Sequence, residues 1–386
     1  MRRSAGLILH PTSLPGPFGI GDLGPEAEKF LDWAASAGQG LWQILPLHPT
    51  GPGDSPYGAS SAFAGNPLLL SPERLREEGL LSRADLAADT PVFHRDRVDY
   101  ASVRSWKETL LRRSWKRFLE RAGAQEELET FRIAPERAPW LSDWALFAAL
   151  KTRLAGPWTS WREGVSRRRP EALASAAREL ADEIAYQEYL QLLFFRQWER
   201  VQAQARRRGI AILGDLPIFL AHDSADVWAR RELFALDESG APEMVAGVPP
   251  DSFSATGQLW GYPLYRWERM EDEGFAWWIS RIRAGLSAAD ILRIDRFRGF
   301  VACWGVPAGE KTAINGRWLP GPGRRLFDAV RAELGEVPIV AEDLGTITQD
   351  VRELLAALGI PGMKVLQFAF SEADSEHLPR RHVSNA

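Results

Sequence analysis

The sequence predicts an α/β protein of barrel type, interrupted by a long helical stretch. Three observations predict it. Apolar strands recur, and three of them, at 210–215, 291–295 and 337–343, end in carboxylates. Helix-like and strand-like stretches alternate around them, the pattern of βα units on a parallel sheet. Between about 71 and 208 the alternation stops and helical periodicity replaces it. Acids at the carboxyl ends of strands are where α/β barrels keep their chemistry.

The chain in order supports this. Residues 4–23 are rich in Gly and Pro and read as a loop; their glycines do not fit the spacing of either phosphate-binding fingerprint. Pro25 then opens a helix with Ala27, Phe30, Leu31 and Ala34 on one face, and Gly38 closes it. A strand follows at 41–47. The Gly/Pro-rich stretch 50–66 reads as a loop that follows a strand, and Tyr57 is its one large polar aromatic. It can stack on a sugar or pin the loop.

Within 71–208, Val103, Trp106, Leu110, Trp115, Phe118 and Leu119 recur at helical spacing, and 140–154 and 171–208 repeat the pattern. Arg167, Arg168 and Arg169 read as a solvated loop. The strand ending at Asp215 resumes the α/β rhythm, and 240–267 then reads as a long loop. Such loops inside compact domains are usually functional. This one carries Phe253, Trp260 and Tyr262 beside Asp251 and Gln258, aromatic faces next to hydrogen-bonding groups, as sugar binding requires. The Asp295 strand, a helical stretch, the Glu342 strand and one more strand at 361–370 complete the pattern, and a polar tail follows.

The totals bound the function. With 386 residues and 45% hydrophobic composition the chain can bury a large core. The 47 basic and 51 acidic residues leave a net charge of -4, so neither nucleic acid nor an anionic membrane is implied as partner. Cys303 is the single cysteine; no disulfide can form within the chain, which fits a reducing compartment. The first residues carry too short an apolar run for a signal peptide, and no run reaches the length of a membrane span. A soluble, cytoplasmic monomer is expected. Of the 16 Trp, the several that lie on helical patterns read as core or helix packing, while flat aromatic faces also suit sugar rings.

The acids carry the chemistry. Residues two apart on a strand point the same way, so Arg293 and Asp295 project together. A guanidinium beside a carboxyl favours the ionised form, and an ionised carboxylate at the mouth of a strand is a candidate nucleophile. Glu342 and Asp343 are adjacent and face opposite sides, so only one shares the pocket with Asp295. The sequence has no HExxH metal site, no dinucleotide or P-loop fingerprint and no GxSxG elbow. Two carboxylates across a sugar-friendly cleft remain, the apparatus of glycoside cleavage; a separation of about 5–5.5 Å gives the retaining route. With water as acceptor the enzyme hydrolyses, and with a sugar hydroxyl it transfers. Non-catalytic glucan binding is the alternative from another class.

The motifs resemble those of 4-α-glucanotransferases (amylomaltase, disproportionating enzyme; glycoside hydrolase family 77). The matching stretches are 6–15, 54–57, 214–219, 223–228, 247–253, 257–261, 293–295, 297–300, 341–345 and 361–364, nearly the whole chain. The resemblance implies a TIM (β/α)8-type barrel built from 1–70 and 209–386, with 71–208 as a helical insertion. It implies Asp295 as nucleophile, Glu342 as acid/base and Arg293 as the residue that orients Asp295. Asp215 would bind the donor sugar, and Tyr57, Tyr100, Asp251, Phe253, Gln258 and Trp260 would line a groove for maltooligosaccharides and α-1,4-glucans. No cofactor or metal is implied. Two departures stand out. Arg296 follows the nucleophile position where the family usually has His. Nothing after Phe370 matches the family's His-Asp-Asn-Asp motif, and the tail 379–386 looks unrelated, so six barrel strands are expected, with the last barrel units missing at the C-terminus.

Overall fold

The computed structural model describes residues 3–251, 254–370 and 375–382. They form two compact units, Met1–Ile212 with Asp223–Ala229, and Leu213–His222 with Arg230–Ala386.

In the first unit, β1 (Gly6–Ile8) pairs in parallel with β2 (Leu41–Gln43), Gly6 opposite Leu41 and Ile8 opposite Gln43. The stretch 4–23 is therefore not all loop. Gly6 sits where a Cβ would lie 2.6 Å from that of Leu41, so this glycine serves strand pairing. The expected 41–47 strand stops at Gln43, ahead of Pro46, which has no N–H for a ladder. The helix Pro25–Ser36 forms as expected, with Ala27, Leu31 and Ala34 buried, and Gly38 just beyond it at φ +72°.

Helices fill most of 71–208, the longest being Tyr100–Leu119, Leu141–Leu154 and Ala181–Arg207. Val103, Leu110 and Phe118 are buried on one face of the first, and Trp115 packs against Tyr189 at 5.0 Å between ring centroids. The Arg triplet is not uniformly solvated. Arg168 donates to Asp143 Oδ1 at 2.5 Å and lies 4.3 Å over the Trp228 ring, while Arg167 and Arg169 are exposed. Trp228 provides an aromatic face on which the guanidinium stacks.

Lys107 departs from the amphipathic pattern. It is buried on the core side, its Nζ donating to Leu68 O at 2.6 Å and Leu70 O at 2.8 Å. Burial lowers its ammonium to about 8, against the opposing pull of Asp22. Lys107→Met strands two carbonyls and the buried Asp22 carboxyl, so urea unfolding should show a loss of about 3–5 kcal/mol. A loss below 1 kcal/mol would mean that water replaces the ammonium.

The second unit has two sets of strands. β3 (Ala211–Pro217), which enters it from Leu213, pairs in parallel with β6 (Ile291–Asp295), and β6 pairs in parallel with β9 (Ile339–Ala341). β4 (Met244–Val248), β5 (Gln258–Pro263), β7 (Ala302–Pro307) and β8 (Arg317–Pro320) form an antiparallel sheet in the order β5-β4-β7-β8. The expected loop at 240–267 thus holds a hairpin, and the stretch between the Asp295 and Glu342 strands holds two strands before its helix, Arg324–Leu334. Glycine and proline misled the sequence reading here. A Cβ on Gly247 would lie 2.6 Å from Gln258 O, and the β4–β5 register shifts between Val245 and Gly247, so this glycine marks a bulge, not a loop.

The expected strand at 361–370 is not one. Residues 361–365 are irregular and Leu366–Phe370 is a 3-10 helix. Its N–H groups go to side chains: Met363 N to Asp343 Oδ1 at 2.7 Å, Val365 N to His377 Nδ1 at 3.2 Å. A strand cannot propagate when its donors are taken this way. Among the described residues the parallel strands are therefore five, β1, β2, β3, β6 and β9, against the six expected.

Candidate active site

The register of the parallel strands builds the site. Asp215 on β3 lies opposite Arg293 on β6, and Ile294 lies opposite Ala341 on β9. The ladder runs one step further: Glu342 N donates to Ile294 O at 2.9 Å and Phe297 N to Glu342 O at 3.1 Å. This sets Glu342 beside Asp295 on neighbouring backbones, about 4.8 Å apart in a sheet.

Arg293 ties two acids together. Its Nη1 donates to Asp215 Oδ1 at 2.6 Å and its Nη2 to Asp295 Oδ1 at 2.8 Å. The Asp215 side chain is fully buried, whereas Asp295 keeps 20% exposure. The fork of one guanidinium thus fixes both carboxylates, and Asp295 alone keeps an open face.

Glu342 is buried. Its Oε2 accepts from Arg296 N at 2.8 Å and its Oε1 from Leu344 N at 3.0 Å. Burial pushes its carboxyl above the ordinary glutamate value; the Arg296 charge opposes this and the nearby Asp295 adds to it. Asp343 is engaged elsewhere, accepting from Met363 N. The backbone at Gly362 comes so close that a Cβ there would lie 2.4 Å from Asp343 Oδ2, so only glycine fits.

A pocket opens beside these groups, lined by Glu342, Arg296, Asp251, Gln258 and Trp260, with Trp304 and Trp318 on its other wall. Trp260 Nε1 donates to Gln258 Oε1 at 3.2 Å. Asp251 Oδ1 accepts from Ser254 N at 2.8 Å, which shapes the β4–β5 turn. Phe253 lies outside the described residues. Asp215, Arg293, Asp295, Glu342, Asp251, Gln258 and Trp260 all belong to the second unit. Tyr57 and Tyr100 belong to the first: Tyr57 is half-buried in the 50–66 loop, and Tyr100 opens its helix and packs on Ile20, Leu68 and Val103.

Sequence reading missed several supporting residues. Arg281, buried in the helix Ala276–Ala288, donates to Pro217 O at 2.5 Å and Ile218 O at 3.1 Å, and so fixes the carboxyl end of β3. The only signal was an Arg on a face made by Trp277, Trp278 and Ile282. Arg298 lies 3.8 Å over the Trp318 ring and donates to Thr348 Oγ1 at 2.8 Å. Among the described residues no group of three or more His, Cys, Asp or Glu could hold a metal ion.

A family model described as 4-alpha-glucanotransferase, glycoside hydrolase family 77, matches residues 9–386. The chain belongs to this family. A 4-alpha-glucanotransferase of Thermus thermophilus is 50% identical over 386 residues, covering 99% of this chain and 76% of the relative. The amylomaltase of Streptococcus agalactiae, solved in complex with acarbose, is 39% identical with a TM-score of 0.96, covering all of this chain and 78% of that one. The amylomaltase of Corynebacterium glutamicum, 22% identical with a TM-score of 0.77 over 96% of this chain and 52% of its own, shares the fold. The glucanotransferase match runs to the last residue, so the tail that looked unrelated lies within it. No helix among the described residues is long and apolar enough to cross a membrane.

Proposed function

We propose that the chain moves α-1,4-glucan segments between maltooligosaccharides by a retaining double displacement, with Asp295 as nucleophile and Glu342 as acid/base. The observation that carries this reading is the β6–β9 register, which sets the two acids on adjacent strands with opposite surroundings. Asp295 sits on a guanidinium with an open face; Glu342 is buried and pushed towards its protonated form. Two carboxyls held in environments this different mark an acid and a nucleophile.

In the first step an Asp295 oxygen attacks the anomeric carbon. The glycosidic bond breaks, and its oxygen takes the Glu342 proton, so the shortened glucan leaves as an alcohol. In the second step the acceptor's sugar hydroxyl attacks the glycosyl ester. Its proton passes to the Glu342 carboxylate, and Asp295 is released. Two inversions retain the α configuration. Asp215, through Arg293, holds Asp295 in line; with its side chain fully buried it acts on the donor through Arg293 and Asp295, not by direct contact. Asp251, Gln258 and Trp260, with Phe253, bind the rest of the glucan. The parallel strands form part of a TIM barrel with 71–208 as its insertion, and the protein works as a cytoplasmic monomer.

Incubation with maltotriose tests this. A ladder of longer maltooligosaccharides plus glucose supports transfer; glucose and maltose without longer products would point to hydrolysis. Acarbose, which the streptococcal amylomaltase binds, should compete with maltotriose. The pH dependence has a definite sign. The first step needs protonated Glu342, so kcat/KM falls as pH rises through its folded-state value. Burial raises that value, so the fall comes above the ordinary glutamate range. A basic limb at or below that range would contradict the assignment.

A further inference from the structure

Arg296 follows the candidate nucleophile in a left-handed backbone conformation, φ +59°. Few residues other than glycine adopt it, and those that do often sit at functional sites. Here the turn has a visible result. It aims Arg296 N at Glu342 Oε2, 2.8 Å away, and lets the side chain return towards the same carboxyl, with Nε 4.0 Å from Oε2. The guanidinium lies 4.9 Å over the Trp260 ring, and Trp260 in turn donates to Gln258. Arg296 and Trp260 both line the pocket that Glu342 faces. A flat guanidinium on an aromatic face is a held charge, not a wandering one.

We propose that Arg296 is a positioning residue for the transfer, a fixed positive charge held on the Trp260 ring that acts on the Glu342 carboxyl and so sets the pH range of the enzyme. The proposal rests on the reading of Glu342 as acid/base. The other charged groups facing Glu342 are Asp295 and Arg293 on β6, with Asp343 next to it on its own strand. Arg293 is already committed to Asp215 and Asp295 by hydrogen bonds. Asp343 is turned to Met363 N. Arg296 and Arg298 both line the pocket; Arg298 is held on Trp318 and Thr348, whereas Arg296, with 39% of its side chain exposed, comes within 4.0 Å of Glu342. Among the described residues its ion contact is the 4.0 Å approach to Glu342, and the ring under it restrains it. The sequence Gln258–Trp260–Arg296–Glu342 therefore connects the sugar-binding turn to the proton of the acid.

The test compares Arg296→Gln, Arg296→Lys and Trp260→Leu in the full chain, each with a thermal melt and a kcat/KM–pH profile on maltotriose. Removing the charge favours protonated Glu342, so Arg296→Gln should move the basic limb up by about one pH unit. Arg296→Lys keeps the charge and should bring the limb back towards that of the parent. Trp260→Leu frees the guanidinium and should move the limb in the same direction as Arg296→Gln, by less. A merely structural role would lower rate or melting temperature and leave the limb in place. If Arg296→Gln has too little rate for a profile, recovery of rate in Arg296→Lys supports the proposal and its absence overturns it. An unshifted limb in folded, active Arg296→Gln also overturns it. Glu342→Gln separates this from failure of the underlying reading. If that variant is inactive while the Arg296→Gln limb is unshifted, only the role of Arg296 falls; if it keeps full activity, the acid/base assignment falls as well.

Discussion

Asp295→Asn should lower the rate of maltooligosaccharide transfer by on the order of 10⁴-fold or more while the protein stays folded. The amide has the size of the carboxylate and can still accept from Arg293 Nη2, so the site keeps its shape. Arg293 also keeps Asp215 as an ion partner, so no charge is stranded. On the proposed mechanism, what is lost is the anion that attacks the anomeric carbon, and with it the whole retaining route. Asp295→Ala offers the sharper form of the test. A small anion such as azide can enter the space left and attack from the same face, giving a β-glycosyl azide by a single inversion. Detection of that product would identify Asp295 as the nucleophile. Transfer activity in Asp295→Asn within tenfold of the parent would remove it from that role.

Removing Arg293 should have the second largest effect, and it should appear in both stability and rate. Arg293→Met leaves Asp215, fully buried, and Asp295 without their shared counter-charge. Losing one member of a buried charge group typically costs about 3–5 kcal/mol. A urea melt at neutral pH should show this loss. Arg293→Lys is the informative partner. An ammonium restores the charge but cannot present two parallel N–H donors to two acids. Stability should largely return, while kcat stays down by about a hundredfold because Asp295 is no longer aimed. Should Arg293→Lys recover full kcat, charge alone would suffice and the fork would be incidental.

The strands that bear acids were legible because each is a short, mostly apolar run that leads to a carboxylate: β3, β6 and β9 form where the sequence places them, and Arg293 contacts Asp295 as their spacing requires. The helical stretch was legible for a similar reason, since its periodicity persists over many turns. The short strands were not. β4 and β5 carry Gly and Pro that read locally as loop, β7 and β8 fell in a stretch read as helical, and only cross-strand pairing explains all four. The error at 361–370 ran the other way. Its apolar residues suggested a strand, but Asp343 and His377 take the backbone donors that a ladder needs. At the site, residue types revealed the acids and the aromatics of 251–260. They could not reveal Arg281, whose partners Pro217 and Ile218 lie more than sixty residues away in the chain.

The antiparallel sheet has a consequence for how this enzyme could diversify. Trp260 and Gln258 ride on β5, and Trp304 and Trp318 on β7 and β8, a hydrogen-bond ladder distinct from the one that holds Asp295 and Glu342. On the proposed reading, changes in the turn between β4 and β5, or in the exposed face of Trp318, alter which glucans are gripped without disturbing the register that sets the two acids side by side. The two acids and the hairpin aromatics thus stand on separate ladders, joined at the site through the Trp260–Arg296 contact. A lineage could retune the length of sugar chain it prefers through hairpin residues other than Trp260, while the acids stay in register.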